Sequence, residues 1–318
     1  MLRFILSFAV LAAFTGAAWP QAYPNRPVKV IIPFPPGGAP DLVGRVLAAK
    51  LAERLGQPFV PENRTGAGGN IAAEFVAKSA PDGYTLFAAS DGPLVINPNV
   101  YAKVPFDTLR DFAPISIAAS AGFVLMACPS VPVASVADVI ALAKSRNVTI
   151  ASSGFGSNHH LAGEMLSTSA GINMTHVPYK GFGQAVIDAI GCKVDLIFSA
   201  ISSGLPHIRG GKLSAIAVTV PVRHRGLPET PTFSEAGHPA VAMDAYFGLV
   251  APAGTPRAVI DKLHSEVVAI LKEKETADRL TGAGLDIVGN SPEQFAERIK
   301  ADLRKFAVVA KSVGAKAE

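Results

Sequence analysis

Cysteine is scarce in this sequence, and its scarcity excludes several kinds of protein. The 318 residues contain two cysteines, Cys128 and Cys192, which do not form a CxxC pair. Two cysteines are too few for a disulfide-stapled scaffold or a cysteine-based metal site. They fit either two small buried apolar side chains or, in an exported protein, one disulfide. The sequence leaves that choice open.

Charge is also sparse and shows no concentration. Charged residues make up 17% of the chain, and its formal net charge of +4 is scattered along the sequence. No cluster of Lys and Arg resembles a nucleic-acid-binding surface, so we expect no nucleic-acid partner. The hydrophobic share of 49% excludes intrinsic disorder. Beyond the N-terminus, no apolar run reaches the ~18–20 residues that a membrane-spanning helix needs.

The N-terminus has the pattern of a secretory signal peptide. Arg3 supplies a positive charge, residues 4–14 are apolar, and small residues follow. We therefore predict a signal peptide over residues 1–22, cleaved after Ala18 or, alternatively, after Ala22. Because no cysteine lies near these sites, no lipid anchor is expected. The mature protein is predicted to be soluble and exported into a bacterial periplasm.

The rest of the chain alternates apolar strands with amphipathic helices, which is typical of α/β proteins with parallel strands. Strands are predicted over residues 28–34, 59–62, 84–89, 115–119, 123–128, 148–151, 175–177, 195–198, 213–218 and 247–251. Helices are predicted between many of them, for example over 41–55 and 159–170. No low-complexity linker separates two halves. These patterns predict two α/β lobes joined by crossing strands, with a ligand in the cleft between them.

Motifs of the common enzyme and cofactor classes are absent from the sequence. It lacks the G-x-S-x-G turn of α/β-hydrolases, the dinucleotide fingerprint, the phosphate-binding P-loop, and the HExxH and EF-hand metal patterns. His159 and His160 are adjacent, and neighbouring residues on a helix diverge by ~100°, so they are poorly placed to share one metal. We therefore expect no cofactor, no metal and no catalytic residue.

Three turns rich in Gly and polar residues, each before a predicted helix, are the strongest local sign of a binding site. They span residues 34–41, 152–158 and 179–183. Backbone N–H groups at a helix N-terminus have no partner within the helix, and the helix dipole favours an anion there. Such turns can hold a carboxylate without arginine. Alternatively, each turn merely connects two elements.

A series of short motifs runs along nearly the whole mature chain. It begins with residues 33–41 (PFPPGGAPD) and continues with 62–69 (ENRTGAGG), 81–86 (PDGYTL), 97–98, 111–112, 156–162 (GSNHHLA), 176–181 (HVPYKG), 206–209, 227–232 (LPETPT) and 251–256 (APAGTP). In this order the motifs resemble those of the tripartite tricarboxylate transporter substrate-binding proteins, also called Bug receptors. The resemblance implies a type II periplasmic-binding-protein fold, with two α/β domains around a central ligand cleft. It also implies one domain of residues 23–122 plus 246–318 and another of residues 123–245.

The resemblance further implies that the turn at 34–41 and the turn at 152–158 pinch the carboxylate of the ligand, with ordered waters assisting. The ligand-binding residues expected on this basis are Phe34, Gly37, Gly38, Ala39, Asp41, Ser90, Ser153, Gly156, Ser157, Asn158, Tyr179 and Ser199. Ser90 and Ser199 are expected just after two strands. Tyr179 either covers the ligand or packs as a core aromatic residue. Asp41 binds water or a ligand amine, or only interacts with the dipole of its helix.

Three residues depart from the family pattern. Pro40 lacks an N–H and removes one donor from the first turn, Cys192 stands where the family usually has Gly, and Tyr246 stands where it often has Trp. None of these changes affects the expected fold, and the identity of the ligand stays open.

The function implied is that of a monomeric exported receptor that performs no chemistry. It would capture a small carboxylate and deliver it to the membrane subunits of a tripartite transporter. Two alternatives remain at this level: an exported hydrolase that uses Ser157 with His160, and a sensor subunit that presents its ligand to a signalling partner.

Overall fold

The computed structural model describes residues 23–179 and 181–312, so the predicted signal peptide lies outside the described residues. The strands are β1 (Val28–Ile32), β2 (Phe59–Asn63), β3 (Thr85–Ser90), β4 (Phe112–Ala127), β5 (Thr149–Ser152), β6 (Thr175–Pro178), β7 (Leu196–Ala200), β8 (Ser214–Val218), β9 (Asp244–Pro252) and β10 (Asp286–Ile287). The helices are α1 (Ala39–Leu55), α2 (Asn70–Ala77), α3 (Asn97–Val100), α4 (Thr108–Asp111), α5 (Val136–Ser145), α6 (Asn158–Ala170), α7 (Phe182–Ile190), α8 (Ile201–Arg209), α9 (Arg257–Lys272), α10 (Lys274–Gly282) and α11 (Pro292–Ser312). Within this part of the chain, no helix is long and apolar enough to cross a membrane. The predicted α/β alternation is confirmed.

Strand β4 corrects one prediction, because the sequence predicts two separate strands where the structure has one of 16 residues. The small residues at 120–122 resemble a turn, but the chain stays extended through them. Gly122 is required by close packing, since a Cβ there would lie 2.3 Å from Cγ1 of Val220. β4 therefore runs without interruption through both halves of the molecule.

The strands form one mixed sheet in the order β2-β1-β3-β9-β4-β7-β5-β6, and β8 and β10 also pair with β4. The first half of β4 pairs with β9 and β10, and its second half with β7 and β8. We call β1–β3, β9, β10 and the first half of β4, with their helices, the first lobe. The second lobe comprises β5–β8 and the second half of β4, with their helices.

The register directs the strand ends of both lobes toward the middle of β4. In the first lobe, the last residue of β3, Ser90, pairs with Phe247, which pairs with Ala119. In the second lobe, the last residue of β7, Ala200, pairs with Phe123. Because β1 is parallel to β3 and β5 is parallel to β7, their carboxyl ends also face this region. The loops after these strands therefore meet between the lobes, where ligands of open α/β sheets bind.

Helix α8 was not predicted from the sequence. It contains Pro206 and Gly204, which both disfavour helices. Gly204 lets the helix approach β4 closely, since a Cβ there would lie 3.0 Å from the sulfur of Met126. Tertiary packing therefore outweighs local propensity in this segment.

The two cysteines form a disulfide. Cys128 follows β4 and Cys192 lies between α7 and β7, with their Cα atoms 5.3 Å apart. Of the two possibilities that the sequence left open, the structure shows the disulfide. It lies in the second lobe at the end of β4 away from the middle.

Candidate functional site

The loop from β1 to α1 presents two backbone amides of the first lobe. Gly37 has a φ of 102°, a conformation that favours glycine, and its N–H donates to Oδ2 of Asp41 at 3.1 Å. Gly38 caps the helix without a side-chain bond, and Ala39 is the first helical residue. The N–H groups of Gly38 and Ala39 donate to no group among the described residues. These two amides are therefore open to an anion.

Asp41 stabilises this turn from inside. Its buried carboxylate accepts hydrogen bonds from Nε of Arg45 at 2.8 Å and Nδ2 of Asn63 at 3.0 Å, in addition to the bond from Gly37. Burial alone would raise the pKa of Asp41, but these hydrogen bonds outweigh it and hold the pKa below its usual value. Asn63 also donates to the carbonyl of Phe34 at 2.7 Å. Sequence reasoning missed Asn63 and Arg45, which immobilise the turn.

The loop from β5 to α6 is held by its own polar side chains. Oγ of Ser157 donates to the carbonyl of Gly154 at 2.7 Å and accepts from the backbone N–H of His160 at 3.3 Å, which caps α6. Gly156, at a φ of 72°, donates its N–H to Nδ1 of His160 at 3.0 Å. Its amide, expected to bind the ligand, is therefore already engaged.

The free amides of the second lobe lie one residue further along. Asn158 and His159 are the first two residues of α6, and their N–H groups donate to no group in the described chain. Ser153, the first residue after β5, pairs through Oγ with Nδ1 of His159 at 2.7 Å. The N-terminus of α6 thus matches that of α1 as a potential anion site.

A cluster of histidines lies against this loop. The rings of His160 and His176 stack with centroids 3.8 Å apart, and the ring of Phe155 lies 4.7 Å from that of His160 and 6.4 Å from that of His176. Nε2 of His176 pairs with Oγ of Ser152 at 2.6 Å. Burial lowers the pKa of His176, and separately of His159, to about 4, so both rings are neutral at pH 7. The affinity of this loop for an anion therefore comes from amide dipoles and not from these two rings.

The arrangement differs from a Ser–His nucleophile pair. Oγ of Ser157 bonds to the backbone N–H of His160, whereas the ring of His160 accepts from Gly156. General-base activation of a serine needs the imidazole nitrogen at its hydroxyl. The geometry gives no support to the hydrolase alternative.

The remaining predicted site residues lie in different surroundings. Ser90 is the last residue of β3 and is buried. Ser199 was expected just after β7, but it lies inside that strand, because β7 continues to Ala200. Its side chain is fully buried, and its hydroxyl donates to the carbonyl of Ala200 at 2.9 Å. Tyr179 donates its N–H to Ser152 at 3.0 Å, which places it beside the second loop, and its hydroxyl bonds to Asp188 on α7 at 3.0 Å.

A side-chain contact joins α6 of the second lobe to the residue that follows β3 in the first lobe. Nδ2 of Asn158, on α6, donates to Oδ2 of Asp91 at 2.9 Å. Asp91 directly follows Ser90 at the end of β3 and is only 4% exposed. Burial raises its pKa to about 7. Sequence reasoning missed Asp91, although an acidic residue at the end of a buried strand is a recognisable signal.

The described residues of this site do not form a set of metal ligands. Over residues 23–179 and 181–312, no group of three or more His, Cys, Asp and Glu side chains is arranged to hold a metal ion. Backbone amides, the side-chain amide of Asn158 and the carboxyl group of Asp91 are among the polar groups that lie where the lobes meet.

A family model and a similar protein of known sequence both assign this chain to the same family. The family described as "Tripartite tricarboxylate transporter family receptor" matches residues 43–315 of the chain. Protein BugT of Bordetella pertussis is 36% identical over 324 residues, covering 99% of this chain and 99% of the relative.

Solved structures agree with this result. R. palustris Rpa4515 with adipate is 34% identical, with a TM-score of 0.76 and coverage of 92% of this chain and 99% of that chain. MatC (Rpa3494) from Rhodopseudomonas palustris with bound malate is 31% identical, with a TM-score of 0.73 and coverage of 91% and 100%.

Proposed function

The chain belongs to the tripartite tricarboxylate transporter receptor family, and from that premise we propose that it captures a small carboxylate between its two lobes and delivers it to the membrane subunits of a tripartite transporter. We assign residues 23–122 plus 246–318 to one domain and 123–245 to the other. The two related proteins with adipate and malate support a carboxylate as the ligand.

The single observation that carries the proposal is the pair of helix N-termini with open amides, one in each lobe. Gly38 and Ala39 serve in the first lobe, and Asn158 and His159 in the second. A hydrogen bond to a charged group contributes ~1.5–3 kcal/mol. Four such bonds, less the cost of ordering, are enough for the roughly −8 kcal/mol of a micromolar complex.

Two helix N-termini on different lobes also link binding to movement. A carboxylate that bonds to both is held best when the lobes are close, so the ligand favours the closed arrangement. We propose that the closed surface is what the membrane subunits recognise, and that the receptor acts in the periplasm as a monomer without chemical conversion of its ligand. The separation of Ser157 Oγ from the ring of His160 supports the last point.

The test is to remove one amide hydrogen from the proposed site. Ala39→Pro deletes the N–H at the first position of α1, where proline is well tolerated. Lys274→Pro makes the same change at the first position of α10, away from the loops between the lobes, and is the control. Thermal-shift screening of dicarboxylates, tricarboxylates, aromatic acids and amino acids identifies a stabilising compound.

Titration calorimetry then compares the variants with that compound. We expect Ala39→Pro to weaken binding by about tenfold or more, and Lys274→Pro to leave it unchanged. Mass spectrometry after long incubation should recover the compound intact. Equal affinity in both variants would remove α1 from the site, and conversion of the compound to a product would show that the protein is an enzyme.

A further inference from the structure

Asp91 is a buried acid without a cationic partner in the described chain. Its carboxyl group accepts from Nδ2 of Asn158, and the N–H of Gly92 also bonds to it. The charged groups that act on it are Asp244 and Asp302, which are acids and raise its pKa. Arg298 lies between those two acids, at 2.5 Å from Asp244 and 2.6 Å from Asp302, so its charge is already paired.

Asn158, which bonds to Asp91 across the lobes, has an acceptor oxygen that no described residue uses. Oδ1 of Asn158 is buried and has no hydrogen-bond partner among the residues that the structure describes. Buried polar atoms are normally satisfied, and an exception calls for an explanation. Asp91 and Asn158 together therefore place several acceptor oxygens and one already used donor, Nδ2 of Asn158, at the meeting point of the lobes.

This meeting point adjoins the open amides of the proposed carboxylate site. Asn158 contributes its backbone N–H to the N-terminus of α6, and its side chain reaches Asp91. A ligand held by these amides would thus have its neighbouring atoms close to Asp91 and to Oδ1 of Asn158. Those atoms would meet acceptors and negative charge.

We propose that Asp91 is a specificity-determining residue that selects carboxylates bearing a protonated amine, that is, zwitterionic ligands of the amino-acid class. The proposal rests on the proposed function, since it needs the carboxylate of the ligand to lie at the N-termini of α1 and α6. The ammonium group would donate to Asp91 and to Oδ1 of Asn158.

The chemistry favours an ammonium group over other substituents. An ammonium has three N–H donors and a positive charge, so it can satisfy both acceptors and compensate the buried acid. A hydroxyl group has one donor and no charge. A second carboxylate at this position would face Asp91 and the free oxygen of Asn158, and both would repel it.

The ionisation of Asp91 supports the same conclusion. Its pKa is raised to about 7 by burial, with Asn158 bonded to it and the acids Asp244 and Asp302 nearby. The hydroxyl of Tyr246 is also buried in this region, and no group in residues 23–179 or 181–312 forms a hydrogen bond with it. A bound ammonium group would lower the pKa of Asp91, so binding near pH 7 should release a proton.

The experiment compares matched ligands that differ only in the amine. The pairs are aspartate with succinate, glutamate with glutarate, and leucine with 4-methylpentanoate, each titrated calorimetrically into the mature protein. In the wild-type protein, the amino member of the best-binding pair should bind at least tenfold more tightly. Asp91→Asn keeps the shape and the bond to Asn158 but removes the charge, and should reduce that preference at least tenfold.

A control variant and a measurement on the wild-type protein distinguish a loss of the ligand preference from a folding defect of Asp91→Asn. Asp261→Asn removes an exposed acid on α9 and should leave the preference unchanged. Proton release is measured on the wild-type protein at pH 7, by titration in two buffers of different ionisation enthalpy, and needs no variant. Release of a fraction of a proton is expected for the amino ligand, and none for its unsubstituted partner.

The outcomes separate the two proposals. Equal wild-type affinity within the best pair, or a preference that Asp91→Asn leaves intact, overturns the role of Asp91 while the receptor function stands. Tighter binding of the unsubstituted acid does the same. If no carboxylate of the screen stabilises or binds the protein, the proposed function fails, and this inference fails with it.

Discussion

Gly156 donates its backbone N–H to Nδ1 of His160, 3.0 Å away, and this bond connects the glycine-rich loop of the second lobe to the buried face of α6. His160 is 4% exposed, stacks on His176 and contacts the tilted ring of Phe155. The loop conformation, and with it the direction of the amides that follow, therefore depends on a side chain that does not need to touch the ligand.

A comparison of two substitutions at His160 tests this dependence. His160→Leu fills the space but leaves the N–H of Gly156 without an acceptor, which should lower the free energy of unfolding by about 1–3 kcal/mol and weaken carboxylate binding. His160→Asn offers an oxygen near the position of Nδ1 and should restore much of both. Urea denaturation and calorimetry measure the two effects. Identical behaviour of the two variants would show that the hydrogen bond is unimportant.

The neutral histidines predict an acid-sensitive fold. Because the pKa of His176 is lowered to about 4 in the folded protein, the unfolded state binds more protons between pH 4 and 6.5. The free energy of unfolding should therefore fall as the pH drops through this range. Asp91 acts in the opposite direction, since its raised pKa of about 7 makes the folded state bind more protons.

The two contributions are separated with a background variant. In Asp91→Asn, the free energy of unfolding should fall more steeply between pH 6.5 and 4 than in the wild-type protein. Adding His176→Gln should make that fall shallower. Urea denaturation at three pH values is sufficient, and an unchanged slope after His176→Gln would rule out this histidine as a cause.

Gly284 packs closely against the second lobe. It precedes β10 in the first lobe at a φ of 77°, and a Cβ there would lie 2.1 Å from Cβ of Ser202 in the second lobe. Gly284→Ala should therefore hinder closure and weaken ligand binding by tenfold or more. Ser202→Gly in the same chain should recover part of the loss, because it removes the clashing atom.

The control for Gly284 carries the same backbone strain without the clash. Gly171, after α6, has a φ of 60° and open space around its Cα. Gly171→Ala should lower stability by about 1 kcal/mol and leave ligand affinity unchanged. If both alanine variants bind alike in calorimetry, contact between Gly284 and Ser202 does not limit closure.

The disulfide should stabilise the second lobe without affecting binding. It closes a loop between residues 64 positions apart, and a loop of this length corresponds to about 4 kcal/mol in the chain-entropy description. Replacing Cys128 and Cys192 together with alanine and serine should lower the free energy of unfolding by about 2–4 kcal/mol. Affinity should not change, because the bond lies at the end of β4 away from the middle. Equal stability with and without a reductant would contradict this expectation.

Periodicity, glycine positions and helix starts are local properties, so the α/β class, most of the strands and the two turns that open α1 and α6 could be predicted from the residues alone. The order of the short motifs also identified the family. Three features depended on how the whole chain folds: β4 is one strand, Ser199 is buried within β7, and Asp91 contacts Asn158. The last two residues are 67 positions apart, on different lobes. The contact between Asp91 and Asn158 depends on how the strands pair around β4. Strand pairing in turn depends on the packing of segments that are far apart in the sequence, and the residues that flank Asp91 and Asn158 do not determine it.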